Sequence, residues 1–500
     1  MRFFALTVAI SCVAGPLAPA AGFAQTPAAP VPTVGSTLSL DDAVTLAKRN
    51  NPNFQSQLNA RRTAANDARV ANGAFLPGVS SSFSGGYRQG GQIFFNGVPQ
   101  GASNDVLSTS GSINAGLNFS ASMLSDRKSA LAGKAGAEAD ISTAEQGLRQ
   151  QVIGLYINVL SAEAAAKLQD TILATTAAQL ALAKARLQVG TGIQLDVDNA
   201  EVSQGNQRVA VLRAHNEIDI AKIRLFQQIG VPASLSTQLQ PLPSLAMPQQ
   251  SLPELLQLAS RSNPTLESNK VREQQAGYSV TSARRAYFPS VSLSSSLGGN
   301  AQRSVDTDLL ISSAQAQIPA QIASCQRSEE VRLKVGLSNR FAECAQISFT
   351  PAAEAAIRDQ QSKFPFGFQR LPYGLNLGLS LPIFNGFQRE NRIQAANIQL
   401  TNAKNTLRTQ ELQLNADINA AWLNLGTQQQ TVALQEQTAR TARTALTLAE
   451  EKYKTGTTTL LDLIQARDAF NRAETGRINA IFDFQRIFSQ LEAAVGRPLR

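Results

Sequence analysis

Ser39 to Pro52 reads SLDDAVTLAKRNNP, and Ser251 to Pro264 reads SLPELLQLASRSNP, an ungapped echo shifted by 212 positions. The same shift carries Phe75-Leu76-Pro77 onto Tyr287-Phe288-Pro289. Farther along, Tyr156 falls on Trp422, Gly190 on Gly456, Asp196 on Asp462, Gly230 on Gly496 and Pro232 on Pro498, each shifted by 266. The extra 54 positions (266 minus 212) therefore enter between Pro289 and Trp422. A unit this long written twice implies two quasi-equivalent halves, not two unrelated domains.

Each half opens with a helical pattern. In the first it runs from about Leu38 to Phe75, with Ser39 ahead of the first-turn acids Asp41 and Asp42. Asn51-Pro52 should kink or split it, and Pro77 ends it. After each terminal proline the period drops to two. Val79, Ser81, Phe83, Gly85 and Tyr87 alternate with Ser and Gly, as do Val291, Leu293, Ser295 and Leu297. Returning strands are expected at Ile113 to Phe119 and at Leu375 to Leu381. Segments of about ten residues, apolar on one face and small or polar on the other, are the signature of transmembrane β-barrel strands. A half-buried hairpin in a soluble sheet would read the same way for one strand alone.

Long helices follow, since no proline occurs from Gln100 to Val231 or from Ile383 to Arg497. One heptad seam takes Ile141, Leu148, Leu155 and Ala162, and a second takes Val152, Val159, Ala166, Leu173, Leu180 and Leu187. Both recur 266 residues on, through Leu407, Leu414 and Ala421, and through Ile418, Leu425, Val432, Ala439, Leu446 and Tyr453. The seams stop at Gly190 and Gly456, where the chain must turn, and Asp196 and Asp462 then sit in the first turn of a returning helix. The first repeat thus spans 37–230, with a β-hairpin at about 78–121. A Pro-rich connector, 231–250, is expected as an exposed belt. The second repeat spans 251–500, with a hairpin at about 290–381.

The N-terminus reads as a secretory signal over 1–24, with Arg2, an apolar core from Phe3 to Val13, and Gly22-Phe23-Ala24 before Gln25. Pro16 and Pro19 cut that core well short of the ~20 residues a membrane helix needs. Ala9-Ile10-Ser11 is a poor approach to a lipid-modified Cys12. Residues 25–36 form a Pro/Ala-rich leader read as disordered. Removal of the signal leaves Cys325 and Cys344, which in an exported chain are read as one disulfide. Net charge is +9, but the basic residues are scattered without a compact aromatic-interleaved patch, so no nucleic-acid partner is expected. Enzyme readings lack support. The single histidine, His215, cannot build a multi-His metal site, and neither a Walker loop nor a dinucleotide fingerprint is present. No cofactor or metal is expected.

Four strands cannot close alone. The smallest single-chain barrels need about eight, and open edges in lipid leave N–H and C=O groups unpaired. Three copies would supply twelve strands, although composition and spacing do not choose that number. Over nearly all of the mature sequence the chain resembles the TolC-like outer-membrane efflux and secretion channels. The motifs that carry this are LSLDDAVTLAKRNNP, FLPGVSSS and its copy YFPSVSLS, LSLPIFNGFQRENRIQAA, AAWLNL, EKYKTGTTTLLDLIQARDAF and LEAAVGRPL, in that order. The resemblance implies an α+β membrane protein and a homotrimer. Long antiparallel coiled-coil helices would form a periplasmic tunnel, and four strands per chain would enter a twelve-stranded outer-membrane barrel. It also implies docking to a periplasmic adaptor and an inner-membrane RND or ABC transporter. The function expected is a passive exit duct for drugs or for secreted proteins. The rival from another class is an exported coiled-coil scaffold or adaptor without a pore.

By the same resemblance, the tips Gly190-Thr191-Gly192 and Gly456-Thr457 contact the adaptor, although a glycine-permitted turn accounts for the glycines by itself. TolC closes its periplasmic aperture with a Tyr before the second turn, an Arg within it and two Asp after it. Here Tyr453 and Asp462 match, whereas Thr458 takes the Arg position and Gln465 that of the second Asp. Asp196 and Asp198 are the first-repeat acids available for a carboxylate ring. Neutralising Asp462 is expected to raise conductance or cation leak if it gates. A helix-start role alone predicts no change. The second hairpin loop is longer by 46, since Pro77 to Gly116 is 39 residues and Pro289 to Gly374 is 85. This outer loop, about 300–371, contains both cysteines. It should be extracellular, and two roles are open to it, covering the channel mouth or presenting a surface to phage or antibody, with simple loop stabilisation the default.

Overall fold

The computed structural model describes residues 35 to 499, apart from 97, 103, 244–246 and 339. The signal, Cys12 and most of the leader lie outside the described residues. In chain order the elements are β1 (Thr37–Leu38), α1 (Leu40–Asn50), α2 (Pro52–Gly73), β2 (Gly78–Arg88), β3 (Gln92–Phe95), β4 (Val98–Ala102), β5 (Val106–Ser120), α3 (Ser122–Gln188) and α4 (Gln194–Ile229). The second half continues with β6 (Gln238–Leu239), α5 (Leu252–Ser262), α6 (Pro264–Arg285), β7 (Ser290–Ser304), α7 (Thr307–Ala316), α8 (Ile318–Lys334), α9 (Phe341–Ala345), α10 (Pro351–Ser362), β8 (Gln369–Arg370), β9 (Gly374–Ser380), α11 (Gln388–Thr455) and α12 (Leu460–Val495). Two compact units result, whose boundaries fall within α2, α3, α6 and α11.

The first unit, residues 1–61, 138–268 and 408–500, is where the heptad seams are spent. Val152, Val159 and Ala166 of α3 are buried, as are Ile418, Leu425, Ala439, Leu446 and Tyr453 of α11. One core cluster joins α1, α2, α3 and α4 through Val44, Phe54, Val152, Tyr156, Leu225, Phe226 and Ile229. The other joins both long hairpins through Leu168, Ile172, Leu180, Val197, Leu446, Tyr453, Leu463 and Phe470. Charged and amide residues take the opposite faces, including the ion pairs Lys48–Glu145 and Lys184–Glu201.

The expected split at Pro52 is real and has a counterpart at Pro264, because each proline lacks the N–H that would continue the preceding helix. Ser39 and Ser251 cap α1 and α5, with Ser39 Oγ accepting from Asp42 N and Ser251 N donating to Glu254. Most described residues of the connector are exposed, and three others anchor it to the core. Val231, Thr237 and Leu239 are buried, and β6 pairs in parallel with β1 (Thr37 with Gln238, Leu38 with Leu239). The Tyr156 hydroxyl, fully buried beneath, shares its one proton between Leu38 O (2.9 Å) and Gln240 O (2.7 Å). Burial pushes this phenol up to about 12. The chain returns across the helices here because its carbonyls have a partner waiting.

The second unit, 62–137 and 269–407, holds one antiparallel sheet in the order β2-β5-β7-β9, with the short β8 also pairing on β7. Register runs Gly78 to Gly116 and Arg88 to Val106 between β2 and β5, then Val106 to Ser304 and Ser120 to Ser290 between β5 and β7. The β3–β4 ribbon extends the first hairpin beyond the strands the alternation marked. A larger departure is the outer loop, which folds into the four helices α7 to α10. Cys325 of α8 and Cys344 of α9 are disulfide-bonded, with Cα atoms 5.6 Å apart. Among the described residues no helix is long and apolar enough to cross a membrane.

Candidate functional site

The sheet's register sorts its side chains into two faces. On one stand Val79, Phe83 and Tyr87 of β2, Ile113, Leu117 and Phe119 of β5, Val291, Leu293 and Leu297 of β7, and Leu375, Leu377 and Leu379 of β9. Most are well exposed, and Leu377 is 75% exposed. On the other stand Ser80, Ser82 and Ser84, then Ser108, Ser110, Ser112 and Asn114, then Ser292, Ser294 and Ser296, then Asn376 and Gly378. Their hydroxyls pair across strands, Ser82 with Ser112 at 2.9 Å and Ser84 with Ser110 at 2.7 Å. An apolar face of this size in water would be a liability. Against lipid it is an outer wall, and the Ser/Asn face becomes a water-filled lumen whose one charge among the described strand residues is Arg88, at the outer end of β2.

At the other functional candidate, both long hairpins turn through glycine. Gly190 has φ 74° and Gly456 φ 78°, left-handed values that a side chain resists. In the first tip Thr191 N and Gly192 N both donate to Arg186 O at 3.0 Å, and Gly190 N donates to Leu187 O. In the second, Thr457 N donates to Lys452 O at 2.9 Å and Gly456 N to Tyr453 O at 3.1 Å. The turns are therefore equivalent, with Lys452 in the place of Arg186 and Tyr453 in that of Leu187.

One side chain joins them. The Arg186 guanidinium lies over the Tyr453 ring, 4.6 Å from its centroid. A β-carbon on Gly456 would sit 3.2 Å from the same guanidinium. Tyr453 is 2% exposed, and among the described residues its hydroxyl has no hydrogen-bond partner. Sequence reasoning found Tyr453 but missed Arg186, one basic residue among many on a helix, stacked on a residue of the other repeat.

The carboxylates each serve their own helix start. Asp462 is the third residue of a capping box on α12. Its Oδ2 accepts from Thr459 Oγ1 (2.7 Å), Thr458 Oγ1 (2.9 Å) and Thr459 N (3.1 Å), and its N–H donates to Thr459 Oγ1. Donation from the Thr459 and Thr458 hydroxyls, with the Thr459 N–H, holds its carboxyl below the usual carboxylate range. Thr458, standing where an Arg was sought, is a donor to that cap. Asp198 accepts from Gln194 Nε2 at 2.7 Å one turn back, Asp196 is the first-turn acid of α4, and Gln465 is exposed.

A pH-dependent stability follows from the cap. A depressed folded-state pKa contributes stability that is present above the unfolded value and lost as pH falls through the folded one. The parent is expected to melt above Asp462→Asn at neutral pH, and the gap should close in acid below the usual carboxylate range. Equal melting temperatures at neutral pH would remove the capping role.

A sheet with one lipid-ready face and one polar face, together with paired helical hairpins, defines an outer-membrane duct. The chain belongs to the outer membrane efflux protein family, whose model matches residues 43–231 and 355–497. It is 22% identical over 467 residues to the outer membrane efflux protein BepC of Brucella suis biovar 1 (strain 1330), covering 92% of this chain and 85% of that one. Among solved structures, it aligns with the outer membrane protein VceC of Vibrio cholerae (TM-score 0.68, 16% identity, 92% of this chain and 97% of that chain). It aligns equally with the CmeC outer membrane channel of Campylobacter jejuni (TM-score 0.68, 15% identity, 91% and 85%). At these identities the structural likeness carries the fold, a helical tunnel joined to β-barrel strands. The chain is thus an outer-membrane exit duct for efflux that extends into the periplasm.

Proposed function

We propose that the working duct is a homotrimer in which β2 of one copy pairs with β9 of the next, closing twelve strands around the Ser/Asn face. The observation that carries this is the open antiparallel sheet, whose outermost strands β2 and β9 each pair on one side only among the described residues. An apolar seam supports it. Leu195, Val202 and Val209 recur every seven residues on α4 and are exposed, as are Leu434 and Leu448 on α11. In a three-copy tube such stripes meet neighbouring helices. Outer-membrane lipid takes the apolar strand face, and the Ser/Asn-lined lumen passes polar cargo.

The tips Gly190, Thr191, Gly192, Gly456 and Thr457 dock a periplasmic adaptor, and an inner-membrane RND or ABC transporter supplies the energy. Tyr453, with Arg186 stacked on it, holds the periplasmic aperture closed. Thr458, Asp462, Gln465, Asp196 and Asp198 line its polar rim. The disulfide Cys325–Cys344 braces the outer insertion.

The test is direct. Unheated outer-membrane extract should run at three times the chain mass on a denaturing gel and collapse to the monomer on boiling. A soluble periplasmic monomer would overturn the duct in favour of a poreless scaffold. A deletion strain should gain drug sensitivity if cargo is small molecules. Loss of secreted proteins at unchanged sensitivity would assign type I secretion instead.

A further inference from the structure

Phe364-Pro365-Phe366-Gly367-Phe368 closes the outer insertion just before β8, and its place on the sheet is specific. The Phe366 ring lies 6.5 Å from that of Phe83 at 29°, and the Phe368 ring 6.2 Å from it at 85°. Thr109 Oγ1 donates to Pro365 O at 2.7 Å. Gly111 gives Phe368 its seat, since a β-carbon there would already touch the ring at 3.8 Å. Its register partner Gly299 has no such room, because a β-carbon would fall 3.0 Å from Phe368 Cβ and 2.9 Å from Gln369 O. Phe83, Thr109, Gly111 and Gly299 all belong to the odd-numbered, apolar face. The insertion therefore returns down the outside of the wall.

Its height is also defined. Phe119, 6.4 Å from Phe75, marks the helix-proximal rim of the apolar face. Gly111 is nine residues from Ser120 on the same strand, a run of ~30 Å at ~3.3 Å per residue. At a tilt near 40° that is ~23 Å of vertical rise, close to the ~25 Å apolar band of outer-membrane barrels. The segment thus stands at the band's far rim, with Phe366 72% exposed and Lys363 and exposed Arg370 flanking it.

We propose that Phe364, Phe366 and Phe368 are a membrane-interface anchor that seats the insertion in the outer leaflet, at the boundary of acyl chains and anionic headgroups. Girdles of aromatic residues stand at that level on outer-membrane barrels, and exposed Arg370 reaches the headgroups beside Lys363, which is ion-paired to Asp359. The occupant is lipid because the segment continues the lipid-facing wall at the height where a leaflet ends. The inference rests on that wall spanning the membrane.

Phe366→Trp and, separately, Leu377→Trp are purified as folded oligomers and placed in phosphatidylcholine vesicles brominated near the headgroup or near the chain end. The signal of the native Trp422, measured in the parent, is subtracted. The indole introduced at 366 should lose roughly half its emission with the shallow bromines and little with the deep ones, as an interfacial side chain does. Quenching of that indole by aqueous acrylamide alone would overturn the anchor. Emission resistant to both bromine and acrylamide would place the ring under a neighbouring copy and overturn it equally. Leu377→Trp separates the two readings. If it is quenched by either bromolipid while 366 is not, only the anchor fails; if bromolipid quenches neither position, the membrane wall fails with it. If Phe366→Trp does not assemble, Phe364→Trp gives the same readout from the next ring.

Discussion

Gly230→Ala is expected to remove most folded, heat-modifiable protein from the outer membrane. Helix α4 ends on Gly230 with φ 82°, and its N–H is shared between Phe226 O and Gln227 O. A β-carbon there would fall 2.5 Å from Asn50 O and 2.7 Å from Asn50 C, both backbone atoms of the α1–α2 break. The left-handed backbone costs about 1–2 kcal/mol for a residue with a side chain. Overpacking adds about 1–3 kcal/mol more, so about 2–5 kcal/mol is at stake in a fold of ordinary marginal stability. The approach has a purpose. Asn51, buried at the break, donates from Nδ2 to Gln228 O at 2.7 Å while its Oδ1 accepts from Phe54 N at 3.0 Å. One side chain thus ties off the end of α4 and caps the start of α2. The second repeat builds the same knot. Asn263 Nδ2 donates to Ala494 O at 2.8 Å and its Oδ1 accepts from Leu266 N, while a β-carbon on Gly496 would meet Ser262 O at 2.7 Å. Gly496→Ala should therefore behave like Gly230→Ala. Gly154→Ala on α3, where a β-carbon meets open space, should be neutral or stabilising by up to ~1 kcal/mol. Thermal melts of the purified oligomers decide it, and a Gly230→Ala midpoint equal to the parent's would sink the argument.

That knot shows what the sequence made legible and what it withheld. The Asn-Pro pairs and terminal glycines were visible as repeated letters, and Pro52 and Gly230 announced a break and an end. Their mutual contact was not, because Asn51 and Gln228 are 177 residues apart and no local pattern encodes the pairing. The same holds at the tips. The αL glycines were readable from where the heptads stop, whereas Arg186 carried no signal, since its partner ring belongs to the other repeat. Strand faces were readable because period two needs only local information. The insertion was not. Among its helices α8 and α10 bury no residue, so no apolar stripe of period 3.6 was present to mark them. A disulfide and a few aromatic contacts organise that segment instead, and neither leaves a periodic trace. The connector read as an exposed belt because its prolines are conspicuous, and most of it is exposed, but its anchoring residues left no signal. Val231, Thr237 and Leu239 make it a lid on the core in which Tyr156 is buried.

Arg186→Ala is expected to open the duct. With the tips as the proposed aperture, the closed state holds the α11 end against the α3 end through the apolar cluster around Tyr453 and, added to it, one guanidinium stacked on that ring, whose hydroxyl has no hydrogen-bond partner among the described residues. A partly desolvated cation–π contact contributes about 1–2 kcal/mol, so its loss in each copy shifts the open-to-closed ratio by roughly five- to thirtyfold per contact. Single channels in planar bilayers should therefore spend more time in the high-conductance state, and cells should admit large antibiotics normally excluded. The first turn itself should survive, because Arg186 closes it through its carbonyl, not its side chain. Arg186→Lys should fall between, keeping the charge but losing the planar stack. Tyr453→Leu restores the residue type found at the equivalent Leu187, so the seam stays apolar while the ring is gone. It should open the channel as Arg186→Ala does, and the double variant should go no further, since both remove one contact. Additive opening in the double variant would mean two separate restraints. Unchanged conductance in both single variants would leave closure to the polar rim at Asp196, Asp198 and Asp462, where Asp462→Ala then becomes the decisive recording.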